Sequence, residues 1–166
     1  MIRSSLVALA ALLIAACSAG ESDPSTGTYT VQFPSTSAAI ATDSVQLFVF
    51  DVGAGDPNAR TTICQNLLQS RKRHDPMSAI VENPPVTTCE LLQGAKPISV
   101  PYGEHAVLAI GARRGADFLM GCTVQTFGDG NAPIAIPLAL ADITVAVPAT
   151  ACNSVSDFCA KTCPSN

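Results

Sequence analysis

Residues 44–52 read SVQLFVFDV and carry the strongest strand pattern of the chain. Successive side chains of a strand point to opposite faces of its sheet. Here both faces are apolar, with Val45, Leu47 and Val49 on one and Phe48, Phe50 and Val52 on the other. A strand that is apolar on both faces must be covered on both. The segment therefore predicts a central strand.

Further strand patterns lie on both sides of this segment in the sequence, separated by turn residues: residues 28–33, 97–100, 105–112, 117–127, 134–140 and 143–147. The turns are predicted at 101–103, 113–116 and 128–131, which are rich in Pro, Gly, Asp and Asn. Short strands at about ten-residue spacing favour a sandwich over a βαβ fold. The sequence thus predicts an all-β fold of about seven short strands.

One short helix is predicted over residues 57–70. Asp56 would cap it and Pro57 would occupy its first position. Ala59, Ile63 and Leu67 then recur at a spacing of four, which is typical of one helical stripe. We expect residues 71–85 to form an exposed loop and 38–43 a linker. Residues 87–92 fit a strand or a helical turn equally well.

The composition excludes some functions. The chain has 166 residues, which suits one domain. Nine Lys and Arg against thirteen Asp and Glu exclude a nucleic-acid binder that relies on overall positive charge. Trp is absent and aromatic residues make up 5%, so an aromatic stacking platform is not expected. We predict no nucleic-acid partner.

The first seventeen residues, MIRSSLVALAALLIAAC, have the pattern of a secretory signal. Arg3 provides the positive start, an apolar run of eleven residues follows, and Ala15 and Ala16 form a small-residue cleavage site. A run of that length is too short for a comfortable membrane-spanning helix. An ordinary secretory signal followed by a chance cysteine is the alternative to the lipoprotein interpretation that follows.

The residues Ile14-Ala15-Ala16-Cys17 are also similar to the lipobox of bacterial lipoproteins. That resemblance implies that Cys17 receives diacylglycerol, becomes the N-terminus after cleavage and is acylated again on its amine, with palmitate-type chains. Several acyl chains on one residue hold a protein stably on a membrane. Ser18, rather than Asp, follows the cysteine, as in lipoproteins sent to the outer membrane. We therefore expect a lipid-anchored protein of the cell envelope, at the periplasmic face or the cell surface of the outer membrane.

These patterns divide the chain into four parts. Residues 1–16 form the signal peptide, 17–28 a lipidated flexible tether, 29–147 the sandwich and 148–166 a Cys-rich tail. The tether is small and polar and is broken by Pro24 and Gly27.

Residues 100–122, VPYGEHAVLAIGARRGADFLMGC, resemble immunoglobulin-like and prealbumin-like sandwich modules. Together with VQLFVFD, they also resemble uncharacterised Cys-containing lipoproteins of the myxobacterial kind. This resemblance covers about residues 29–147. It implies a β-sandwich and no particular activity.

Six cysteines remain after Cys17: Cys64, Cys89, Cys122, Cys152, Cys159 and Cys163. An even number in an exported protein predicts three disulfides, with 15 possible pairings. Cys122 lies on the apolar face that Phe118, Met120 and Val124 share, and Cys64 adjoins the helical stripe. A Cys64–Cys122 bridge is therefore the expected one, with Cys89 joined to the C-terminal cluster and one bridge inside that cluster.

Metal binding by the C-terminal cysteines is the competing hypothesis. Their spacing, C-x₆-C-x₃-C without a nearby histidine, differs from the closer pairs of zinc sites. We predict neither a metal nor a cofactor.

No catalytic motif is visible: G-x-S-x-G, the P-loop, H-E-x-x-H and G-x-G-x-x-G do not occur in the sequence. We therefore expect a non-enzymatic binding or structural module for a protein or glycan partner, whose site would lie on loops of the rigid sandwich. The candidate surfaces are residues 51–58, 71–85 and 113–117. Their candidate partner residues are Arg71, Lys72, Arg73, His74, Arg113 and Arg114. The alternative is a small envelope hydrolase that joins His74 or His105 to a Ser and a carboxylate only in the fold.

The lipid anchor leads to the first prediction. Cys17→Ser removes the only sulfur at the cleavage site, so lipidation is abolished and an unprocessed precursor accumulates. Detergent phase partitioning and intact mass report both effects. A Cys17→Ser protein that is still processed and membrane-bound would contradict the lipoprotein interpretation.

Overall fold

A computed structural model describes residues 25–53, 58–128 and 133–164. Several predicted features lie outside these residues: the signal peptide, Cys17, most of the tether, the helix start at Asp56 and Pro57, and most of the turn at 128–131. The described elements in chain order are β1 (Ser25–Gln32), α1 (Thr36–Ala41), β2 (Ser44–Asp51), α2 (Ala59–Lys72), β3 (Val81–Glu82), β4 (Val86–Thr87), α3 (Thr88–Leu91), β5 (Lys96–Val100), β6 (Gly103–Arg113), β7 (Ala116–Phe127), β8 (Ile134–Pro137), β9 (Ala139–Leu140) and α4 (Val155–Ala160).

The strands form two sheets. The larger one has the order β3-β2-β6-β7-β9, with β4 also paired to β2, and the smaller one has the order β5-β1-β8. β1 is antiparallel to β5 and parallel to β8. β2 pairs with β6 on one side and with β3 and β4 on the other, so the predicted central strand is confirmed.

Three layers result from the two apolar faces of the larger sheet. One face packs on the smaller sheet, in a core that includes Val45, Leu47 and Val49 of β2. The other face, with Phe50 and Val52, packs under α2. The helix contributes the predicted stripe, Ala59, Ile63 and Leu67. The alternation of residues 44–52 therefore correctly predicts which side chains face the smaller sheet and which face α2.

β6 is the most completely buried strand. Seven successive residues, from His105 to Gly111, are buried. β7 lies beside it, and a register shift between Gly111 and Ala112 leaves Phe118 as an extra residue. Phe118 consequently joins Leu119 in the core between the sheets, whereas Met120 faces α2. The expectation that Phe118 and Met120 share a face is wrong because a bulge inverts the alternation there.

Helical structure is more extensive than predicted. The chain is mostly β, but the described residues include four helices rather than one. The segment expected to be a linker belongs to α1, where the Ser35 side chain accepts the Ala38 N–H. Residues 87–92 combine both alternatives, because β4 ends at Thr87 and α3 follows with a Thr87–Glu90 capping box.

Some predicted boundaries also need correction. α2 continues to Lys72, so Arg71 and Lys72 belong to its last turn rather than to a loop. β1 begins at Ser25, so residues 25–28 of the expected tether belong to the smaller sheet. The strand expected over 134–140 changes sheets at Leu138 and forms β8 and β9. No strand forms over 143–147, where Asp142 holds a turn by accepting from the backbone and the hydroxyl of Thr144.

Three disulfides join the layers, as the even cysteine count predicted: Cys64–Cys122, Cys89–Cys159 and Cys152–Cys163. The first ties α2 to β7, the second ties α3 to α4, and the third closes the tail on itself. They agree with the expected Cys64–Cys122 bridge, with the expected link from Cys89 to the C-terminal cluster and with the expected bridge inside that cluster. None of the described helices is long and apolar enough to cross a membrane.

The change of sheet after β8 leads to the second prediction. A Cβ on Gly121 would overlap the backbone oxygen of Pro137, which a side-chain movement cannot relieve. Gly121→Ala should therefore destabilise the protein by about 3 kcal/mol, as overpacking does. Urea unfolding measures this loss.

Gly27→Ala is the matched control. A Cβ there would lie 3.4 Å from Ile98 Cγ2, an ordinary contact, and should change stability by less than about 1 kcal/mol. Equal stability of the two variants would contradict this account of the crossing.

Candidate functional site

The sandwich has two distinct ends, which the strand register identifies. Ser25 pairs with Val100, and Gly103 pairs with Phe127; we call this the proximal end. β6 runs from there for 11 residues, about 33 Å, to the turn at residues 113–116. We call that the hairpin end. α2 runs in the same direction, from Arg60, which pairs with Glu104 at 2.7 Å, to Arg71 beside Asp117.

Two of the three candidate surfaces meet at the hairpin end. Arg71 Nε and Nη2 donate to the two carboxylate oxygens of Asp117 at 2.6 and 2.9 Å. The guanidinium also lies 5.9 Å from the centre of the Phe48 ring. The hydrogen bonds to Asp117 raise the pKa of Arg71, although its partial burial acts in the opposite direction. Of the surface at residues 51–58, the described Asp51 lies away from this site, because it pairs with His105 near the proximal end.

A cleft of about 880 Å³ lies between the end of α2, the β6–β7 turn and the residues after β9. We call it the first cleft. Its lining consists of Arg71, Lys72, His74, Asp75, Gly115, Ala116, Asp117, Met120, Ala141, Asp142 and Ile143. Ile143 is 90% exposed, which is unusual for a large aliphatic side chain. Three predicted partner residues, Arg71, Lys72 and His74, therefore line one concave surface.

Most charges of the first cleft have partners within the chain. Arg71 pairs with Asp117, and Asp75 pairs with Arg73 at 2.8 Å. Asp142 accepts the backbone N–H and the hydroxyl of Thr144 at 2.8 and 2.7 Å. These two hydrogen bonds, with a smaller contribution from Lys72, lower the pKa of Asp142. The cleft thus combines apolar side chains with charges that nearly cancel, and it suits a peptide or a sugar better than a strongly charged ion.

Sequence analysis missed the third wall of this cleft. Residues 143–147 look like a strand by alternation, so Asp142 and Ile143 were not considered. The available signal was the pair Asp142 and Thr144, since an Asp accepts from the residue two positions later in an Asx turn. Met120 also lines the first cleft. Its place there depends on the pairing of β9 with β7, and the sequence does not show that these two strands are neighbours.

A smaller cleft of about 250 Å³ lies on the other side of the β6–β7 turn. We call it the second cleft. It is lined by Ser37, Ile40, Ala41, Asp43, Arg113, Arg114, Pro148, Ala149 and Thr150. The guanidinium of Arg113 lies 5.4 Å from the centre of the Phe118 ring, and the backbone N–H of Arg114 donates to Asp43 at 2.5 Å. Of the three remaining predicted partner arginines, Arg113 and Arg114 thus line this second cleft, whereas Arg73 lines neither cleft.

The histidines occupy different ends. His74 is exposed in the first cleft, and no serine lines that cleft among the described residues. His105 is buried near the proximal end, where Nδ1 lies 3.1 Å from Asp51 Oδ1 and Nε2 lies 3.1 Å from the Pro101 oxygen. The first of these contacts lacks hydrogen-bond geometry. Among the described residues, the two histidines thus lie beside different carboxylates, His74 in the cleft that Asp75 also lines and His105 next to Asp51.

The cysteines considered as metal ligands are all oxidised. Cys152 bonds to Cys163, and Cys159 bonds to Cys89, so no thiolate of the cluster remains for a metal. Within the described ranges, no other group of three or more His, Cys, Asp or Glu side chains is arranged to hold a metal ion.

Comparison with protein-family models finds no match, and comparisons with curated proteins and with solved structures find none either. The functional assignment therefore depends on the geometry of this chain.

The Arg71–Asp117 pair leads to the third prediction. Both side chains are about one-third exposed or less, and the pair fixes the end of α2 on β7. Asp117→Asn should destabilise the protein by about 1 kcal/mol, and high salt should reduce the difference. Urea unfolding at low and high ionic strength measures this effect.

Asp75→Asn removes the more exposed Arg73–Asp75 pair and should change stability by less than about 0.5 kcal/mol. If both variants lost the same stability, the end of α2 would not depend on Asp117.

Proposed function

We propose that this chain is a lipid-anchored protein of the cell envelope, and that its sandwich is a non-enzymatic binding module for a protein or glycan partner. The observation that carries the proposal is the first cleft, a concave surface of about 880 Å³ where two predicted partner loops meet. Clefts of this size, with an apolar part and a few fixed polar groups, are typical of ligand sites.

An oxidising location is supported by the disulfides. Three disulfides in one domain point to a non-cytoplasmic protein, secreted or of the envelope. Attachment through acylated Cys17, and delivery to the outer membrane because Ser18 follows it, belong to the proposal.

The position of the first cleft fits such an anchor. Eight residues, 17–24, separate the proposed acyl chains from β1, and they span at most about 28 Å. β1 begins at the proximal end, so this end is held near the membrane. The hairpin end lies about 33 Å further along β6, facing the surrounding compartment. A partner can thus reach the first cleft without crossing the lipid surface.

The fold type is part of the same proposal. We infer an immunoglobulin-like or prealbumin-like sandwich, supported by two sheets that pack face to face around one core. Loops at one end of such a sandwich are free to vary without disturbing the core. This freedom suits the cluster of surfaces at the hairpin end.

The fourth prediction tests the first cleft in the native envelope. A photo-crosslinking amino acid in place of Ile143 should form a discrete adduct, because this side chain is exposed at the rim. The same group in place of Tyr102, exposed at the proximal end, should not form that adduct. Immunoblots and mass spectrometry distinguish a protein adduct from a glycan adduct.

A second variant connects the adduct to the cleft. Ala116→Arg fills the first cleft from the β6–β7 turn and should abolish the Ile143 adduct, whereas Ser99→Arg on the exposed face of β5 should not. Absence of the adduct in the wild-type background, or its persistence in Ala116→Arg, would overturn the proposed site.

A further inference from the structure

Charge is unevenly distributed over the chain. Five of the eight Lys and Arg residues that follow the signal peptide lie at the hairpin end: Arg71, Lys72, Arg73, Arg113 and Arg114. Four acidic residues line the clefts at this end, Asp43, Asp75, Asp117 and Asp142. Glu90 also lies near it, because it caps α3 beside Thr87, which pairs with Ser44, the partner of Ala112. Most cations of this acidic protein thus gather at one end, where carboxylates accompany many of them.

Two guanidinium groups at this end form no ion pair among the described residues. Arg71 and Arg73 have carboxylate partners, but Arg113 and Arg114 have none there. Asp43 faces the same cleft, yet its carboxylate accepts the backbone N–H of Arg114 at 2.5 Å instead of pairing with a guanidinium. The second cleft is therefore lined by two guanidinium groups that form no ion pair among the described residues.

The backbone conformation of Arg114 indicates that its side chain serves a purpose other than forming the turn. Arg114 and Gly115 have φ of 52° and 78°, as in the two-residue turns that usually carry Asn, Asp or Gly at both positions. A long side chain disfavours this left-handed conformation. The turn would form more easily with Asn, so the contribution specific to Arg114 is its exposed guanidinium.

We propose that the second cleft is a carboxylate-binding subsite, and that the partner is a protein that presents an acidic peptide segment. This inference rests on the proposed function and specifies the partner. A guanidinium binds a carboxylate through two parallel hydrogen bonds. The hydroxyls of Ser37 and Thr150 also line the second cleft, and Ser37 can donate to a bound carboxylate.

The surroundings favour a peptide over a glycan. The described lining of the two clefts contains no Phe, Tyr or Trp ring on which a sugar could stack. Across the β6–β7 turn, the first cleft instead offers Met120 and the exposed Ile143 to an aliphatic side chain. A segment that crosses the turn would place an acidic residue in the second cleft and an apolar residue in the first.

The fifth prediction uses a random nonapeptide library displayed on phage and selected on the full-length protein in detergent, with its disulfides formed. Peptides selected by the wild-type protein should be enriched in Asp and Glu. A selected peptide should bind Arg113→Gln and Arg114→Asn at least about tenfold more weakly, since each variant removes a charge-assisted pair. Fluorescence anisotropy measures these affinities.

Arg114→Asn separates binding from folding. Asn adopts the left-handed conformation more readily than Arg, so the Tm of this variant should equal or exceed the wild-type value. Arg73→Gln is the matched control, because it removes an exposed cation that already pairs with Asp75, and it should leave peptide affinity within about twofold.

The outcomes distinguish this inference from the proposed function. Selected peptides without acidic enrichment, or acidic peptides that bind Arg113→Gln and Arg114→Asn normally, would overturn the subsite while the first cleft remains a binding site. No peptide enrichment would overturn the peptide partner, and the Ile143 crosslink would then decide whether the proposed function survives. Binding of an immobilised sulfated oligosaccharide through Arg113 and Arg114 would also overturn the peptide partner, in favour of an anionic glycan.

Discussion

The burial of β6 on both faces is the constraint on which the rest of the structure depends. Seven successive buried residues require a cover on each side of the larger sheet. The smaller sheet covers one side, and α2 covers the other with a half-buried stripe. α2 contributes no fully buried residue, so its apolar contacts alone stabilise its packing on the sheet only modestly. Cys64–Cys122 adds about 4 kcal/mol by the loop-entropy estimate for 58 residues.

This arrangement determines where the clefts form. Because α2 is fixed to β7 near its middle, its last turn reaches Asp117 and forms one wall of the first cleft. The second cleft depends on the tail, which Cys89–Cys159 fixes to α3. α3 in turn is joined to the end of α1, because the Thr88 hydroxyl donates to the Thr42 carbonyl at 2.7 Å. Disulfides outside the core thus shape the hairpin end, where both clefts lie.

The sequence predicted what alternation alone determines and failed where local geometry interrupts it. Both faces of β2 and the stripe of α2 follow from periodicity, and two of the disulfide partners follow from those faces. Phe118 was placed on the wrong face because a bulge changes the alternation by one residue. α1 was missed because its apolar positions are small alanines, whose burial gives no periodic signal. Arg71, Lys72 and His74, which the sequence offers as partner residues because of their charge, line the first cleft, but the cleft itself joins segments far apart in the chain that the sequence does not bring together.

The two ends of the sandwich differ because of where the chain enters it. β1 begins beside Val100 at the proximal end. The basic segments at residues 71–74 and 113–116 lie at the opposite end, where α2 and β6 end. The arginines at the hairpin end are of two kinds, which differ in whether their guanidinium pairs with a carboxylate. Those with carboxylate partners, such as Arg71, fix the elements and contribute little net charge. Arg113 and Arg114, in contrast, extend from a turn that depends on Asp43 for its backbone and not for its charge. The carboxylates of this end thus serve structural contacts, and the acidic partner proposed for Arg113 and Arg114 would come from outside the chain.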